Sequence, residues 1–120
     1  MSKSIQLFIA VSFIFIVSCS KNDSPAVTLD CTTSKPTYTK DIASILNSSC
    51  AQAGCHSAAS KSGGFNLSTF NGAKSAAGSS NFLKAIKHES GVTKMPEGAS
   101  KLPDATIAKI ECWVRNGTPE

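Results

Sequence analysis

The sequence predicts an all-α domain with long loops. Three observations carry this expectation. Apolar residues recur at helical spacing in three places: Ile42, Ile45 and Leu46; Phe82, Leu83 and Ile86; Ile107, Ile110 and Val114. No stretch of useful length alternates apolar and polar residues, as a half-buried strand would. The segments between the stripes are rich in Ser, Ala, Gly and Pro, which favour loops. There is no internal repeat.

The chain starts with a different kind of segment. Lys3 precedes an 11-residue apolar run, Leu7 to Val17, broken only by Ser12. A bilayer-spanning helix needs about 20 residues, so the run fits a secretory h-region instead. It ends Ile16-Val17-Ser18-Cys19 and turns polar at once. Small residues before a cysteine resemble the lipobox of bacterial lipoproteins. That resemblance implies a signal peptide over 1–18, cleavage before Cys19 and a lipid on Cys19; the alternative is an ordinary signal peptide beside a chance cysteine. A lipid-anchored domain of the periplasm or cell envelope follows, in an oxidising place where disulfides persist. Residues 19–36 then read as a lipidated tether plus the edge of the domain, and 37–120 as the domain.

Within the domain, a first helix is expected from about Lys40 to Ser49. Thr39 would cap it and Asp41 suits the first turn. The stretch 57–80 reads as loop with one short helix near Thr69–Ala76, anchored by Phe65, Leu67 and Phe70. A second short helix is expected at Phe82, Leu83 and Ile86. Residues 88–103 read as irregular, with Gly91, Pro96, Gly98 and Pro103. A last helix is expected from about Asp104 to Asn116, with Pro103 suiting its first turn and Gly117 its stop.

Composition sets limits. The chain has 120 residues and a formal charge of +4. Without Lys3 the balance is 11 basic to 8 acidic residues. No basic cluster carries interleaved aromatics, which argues against nucleic acid. Beyond residue 18 there are 37 hydrophobic residues, but 13 are Ala and 5 are Cys. The 19 larger apolar side chains that remain make a thin core. Something besides side chains is expected to fill the interior.

The chemistry concentrates in Cys50-Ala-Gln-Ala-Gly-Cys55-His56. Two thiols followed directly by an imidazole match the logic of covalent haem attachment, usually C-x-x-C-H. The thiols form thioethers to the ring, and the adjacent histidine ligates the iron. Here four residues separate the cysteines. On an ideal helix, positions i and i+5 lie about 140° apart, so the insert must bulge. Gly54 is the residue that permits this. Two other readings stand beside haem: a tight Cys50–Cys55 disulfide, and a zinc site joining both thiols to His56 and His88.

A second ligand candidate is Met95, the one methionine beyond residue 18, followed by Pro96 in a polar irregular stretch. No helical period surrounds it, so a loop can aim it inward. A thioether opposite histidine raises haem potential. His88 is the alternative sixth ligand. With Cys19 lipidated and Cys50 and Cys55 on haem, Cys31 and Cys112 remain, as a disulfide or as two free thiols. As a disulfide they would close a loop of about 80 residues, worth up to ~4–5 kcal/mol in the chain-entropy picture.

With these residues in hand, the chain resembles small monohaem c-type cytochromes, and more narrowly the planctomycete-type cytochrome c domains of exported proteins and lipoproteins. The likeness covers about residues 38–117. It runs through Tyr38, Asp41-Ile42 and Ile45-Leu46, then Cys50, Cys55 and His56. Gly63-Gly64, Leu67, Met95-Pro96, Leu102, Ile107, Ile110, Trp113, Val114 and Gly117 follow in order. The C-x4-C spacing departs from the common pattern, as does Ala43-Ser44, where a proline often stands.

The resemblance implies a class I cytochrome c-like fold, with N- and C-terminal helices crossing beside one covalently bound haem c. Trp113 would pack at that crossing or near the porphyrin. Phe65, Leu67, Phe70, Phe82, Leu83 and Ile86 would line the haem pocket. Cys50 and Cys55 would hold the ring, and His56 and Met95 the iron. The expected function is single-electron transfer to redox partner proteins by a monomeric, membrane-anchored carrier that is not an enzyme. Lys61, Lys74, Lys84, Lys87, Lys94 and Lys101 would keep the surface soluble or steer an acidic partner. Two further classes remain: a haem enzyme or sensor with a displaceable sixth ligand, and a haem-free lipoprotein stapled by disulfides.

Overall fold

Thr37 and Asp41 start the first helix by capping each other. Thr37 Oγ1 accepts from the Lys40 amide at 3.4 Å, and Asp41 Oδ2 accepts from the Thr37 amide at 3.0 Å. The cap therefore falls on Thr37, two residues before the expected Thr39. The extra turn, Tyr38–Ile42, is π-helical and runs directly into α1, Ala43–Ser49. The shift places Tyr38 inside the fold, where its ring lies 5.4 Å from that of Phe70 and 6.3 Å from that of Trp113. Burial of one aromatic side chain is worth more than the choice between two threonine caps.

The computed structural model describes residues 27–120. The segment 1–18, expected to be a signal peptide, and Cys19, expected to carry a lipid, lie outside the described residues. Beyond α1 come a 3-10 turn at Ser62–Gly64, α2 at Phe70–Ala77, α3 at Phe82–Ile86 and α4 at Asp104–Arg115. Among the described residues there is no strand, so the fold is all-α, as the sequence predicts. Thr69 caps α2 by accepting from the Gly72 amide. Pro103 stands just before α4 rather than within its first turn, and Gly117, at φ +83°, ends it.

The first and last helices pack on each other. Ile42, Leu46, Ile110 and Trp113 are all essentially fully buried at this junction. Val114, expected in the buried stripe of α4, is only half-buried; Cys112 and Trp113 take the inner face beside Ile110. Trp113 Nε1 donates to the Pro119 carbonyl at 2.8 Å, and the Tyr38 amide donates to the same oxygen at 2.9 Å. The C-terminal tail thus clasps both helices. On the other side, Cys31 and Cys112 form a disulfide, with Cα atoms 4.9 Å apart and a sequence separation of 81. Asn116 Nδ2 donates to the Ser34 carbonyl at 3.0 Å, and Pro36 is buried. Residues 31–36 are therefore pinned to α4 as the edge of the domain.

Helix α2 approaches the preceding segment so closely that a Cβ at Gly72 would collide with the Asn66 carbonyl. Only glycine allows the contact. It brings Ala73, Ala76 and Ala77 into the interior, all buried.

Candidate functional site

Cys50 sits at the end of α1, where the backbone leaves helical geometry at φ −126°, ψ −43°. The chain then folds back on itself. The His56 amide donates to the Cys50 carbonyl at 3.2 Å, and the Cys55 amide to the Gln52 carbonyl at 3.0 Å. Gly54 takes φ +79° and its amide donates to Ser60 Oγ at 2.9 Å. This is the bulge that the C-x4-C spacing requires, and it falls on the residue expected to allow it. His56 is fixed from the far side too, since the Leu67 amide donates to its carbonyl at 2.8 Å.

Beside this loop lies a cavity of about 600 Å³. Cys50, Cys55 and His56 line one part of its wall, and Met95 and Pro96 another. Phe65, Leu67, Phe82 and Ile86 supply apolar wall as expected. Phe70 and Leu83 do not reach it and pack against the core cluster instead. Trp113 also lies elsewhere, at the junction of the first and last helices. Sequence reasoning missed Ala76 and Ala85, which line the cavity with small side chains. The signal for Ala76 was the small-residue spacing of Ala73, Ala76 and Ala77 on α2; Ala85, between Leu83 and Ile86 on α3, had none.

The four predicted cofactor residues therefore share one cavity, although 45 positions separate Cys50 from Met95. His88 does not line it. Its Nε2 lies 3.1 Å from the Met95 carbonyl, which can only accept, so Nε2 carries the hydrogen. The zinc reading also lacks support: among the described residues, no three His, Cys, Asp or Glu side chains gather to hold a metal ion. Cys50 and Cys55 are free thiols here rather than a disulfide.

The residues present fit a covalently held haem on three counts. The volume is of the size that takes a cofactor-scale ligand, roughly 300–1,000 Å³. His56 Nδ1 is buried without a hydrogen-bond partner among the described residues, a cost that native structures rarely leave uncompensated. Burial pushes the Cys50 thiol up to about 11, with the neighbouring Cys55 adding to the effect. A neutral thiol in an apolar wall suits a thioether to an apolar ring. Comparison of the chain with protein-family models, curated proteins and solved structures returns no match.

Proposed function

We propose that this protein is an exported, lipid-anchored monohaem c-type cytochrome that carries single electrons. The observation that supports this most is the shared cavity: two thiols, an imidazole with an unsatisfied buried nitrogen and a lone methionine all line one apolar space. Cys50 and Cys55 would hold the ring by thioether bonds, while His56 and Met95 would ligate the iron. The class I cytochrome c-like arrangement belongs to the same reading, which the packing of the first helix on the last supports.

Bound haem supplies a one-electron ferric/ferrous couple. The chain's own residues do the rest. Phe65, Leu67, Phe82 and Ile86 exclude water from the site. The backbone bonds at His56 fix its main chain at the cavity wall. His56 and Met95 would both ligate the iron, which would leave no open site for oxygen or peroxide.

The lysines divide in a way that bears on partners. Lys87 pairs with Glu111 at 2.8 Å, Lys101 pairs with Asp104 at 2.7 Å, and Lys74 lies over the Phe70 ring. Lys61, Lys84 and Lys94 are exposed, carry no ion pair among the described residues and neighbour cavity-lining residues. An acidic redox partner docking near the cavity fits that distribution.

The test is expression of the exported form with a cytochrome c maturation system, followed by visible spectra of the ferric and ferrous protein. A c-type ferrous spectrum with a weak near-red sulfur-to-iron band in the ferric state is expected, and the band should vanish in Met95→Ala. A haem-loaded protein without that band would move the reading to an open-site enzyme or sensor. A protein that never retains haem would overturn it.

A further inference from the structure

The segment that carries Met95 is docked backbone-first onto the end of α3, and one side chain closes the dock. The Met95 amide donates to the Ala85 carbonyl at 3.0 Å. The same carbonyl accepts from the His88 amide at 3.1 Å. The Met95 carbonyl is met in turn by His88 Nε2 at 3.1 Å. Both polar groups of the Met95 peptide unit are therefore tied to the same four-residue stretch, Ala85 to His88. That stretch is itself tied to α4, through the Lys87–Glu111 ion pair.

His88 holds this position at a cost. Its φ is +59°, in the left-handed region that a non-glycine residue seldom adopts. A left-handed residue persists where surrounding interactions over-determine it, and such outliers cluster at ligand clamps. The loop it spans, residues 89–94, contains no helix or strand and is exposed except at Val92. Without the ring-to-carbonyl bond, Met95 would hang from one backbone hydrogen bond at the end of an exposed loop.

We infer that His88 is a positioning residue: its ring clamps the Met95 carbonyl and so fixes where the Met95 thioether stands in the cavity wall. The inference rests on the proposed Met95 ligation for its consequence, while the clamp itself is independent of any cofactor. It assigns His88 a role different from direct iron ligation, because Nε2 is already committed.

Two variants separate the ring from the backbone. His88→Gly removes the ring and relieves the left-handed strain; His88→Gln keeps a side-chain donor of similar reach. Full-length protein is matured with haem, and two quantities are read. The first is hydrogen–deuterium exchange of the peptide containing Met95. The second is the cyanide concentration that displaces the near-red band of the ferric form. In His88→Gly, exchange around Met95 should quicken and cyanide should bind about tenfold more tightly, the scale set by one lost hydrogen bond. Exchange in α4 should stay unchanged, and His88→Gln should recover most of both effects. Unchanged exchange around Met95 in His88→Gly would overturn the clamp. Faster exchange with unchanged cyanide affinity would overturn its role at the cavity. A wild type with no near-red band but with the predicted exchange change would overturn Met95 ligation and leave the clamp standing.

Discussion

The two halves of this domain are built to different standards. At the junction of the first helix and α4, Ile42, Leu46, Ile110 and Trp113 are buried to within 1% of completely, a disulfide closes one side and the C-terminal tail clasps the other. Around the cavity, Phe65, Phe82 and Met95 are only half-buried, two thiols are free and the backbone visits left-handed geometry repeatedly. The first half is a finished core. The second holds apolar side chains that face a space instead of each other. A chain with so few large apolar residues gains from anything that covers these three.

This contrast predicts where mutations hurt. Trp113→Ala should cost the most, about 3–5 kcal/mol by urea unfolding, with or without haem, because it empties the finished core. Paired Cys31→Ser and Cys112→Ser replacements should come next, at about 2–5 kcal/mol, by releasing the 81-residue loop. If these changes had little effect on the haem-free protein, the finished core would not be finished.

On the cavity side, Cys50 makes the haem-free, reduced protein sensitive to alkali. Its folded thiol is raised from an ordinary 9.0 to about 11, so the unfolded chain loses the proton first. Stability from this group is complete below pH 9 and is lost as pH rises toward 11. The loss should reach at most about 3 kcal/mol, and Cys50→Ala should flatten it. Phe82→Ala should show the smallest effect, under about 1 kcal/mol in the haem-free protein, since half of its burial is missing there. In the haem-loaded protein the same change should cost at least twice as much. Equal costs in the two forms would break the comparison between the halves.

Much of this was legible in the sequence. Apolar spacing located α1, α3 and α4, because each helix buries one continuous stripe. Counting cysteines paired Cys31 with Cys112, and the bulge at Gly54 followed from helix geometry and the C-x4-C spacing. Other features were not legible. The start at Thr37 depends on Tyr38 finding Phe70 and Trp113, which lie 32 and 75 positions away. The role of Gly72 depends on the Asn66 carbonyl passing beside it, which no local pattern records. His88 sits in a polar Lys-His-Glu run that reads as solvated surface. Only the return of the chain at Met95 gives its ring a partner.

The most direct test of the central claim is the intact mass of the exported, matured chain under denaturing conditions. Haem attached through two thioethers must stay with the chain when the fold is destroyed. The wild type should carry the mass of one haem, and the Cys50→Ser, Cys55→Ser double variant should carry none. A wild-type chain that unfolds to its bare polypeptide mass would contradict the account, and the cavity would then need another occupant.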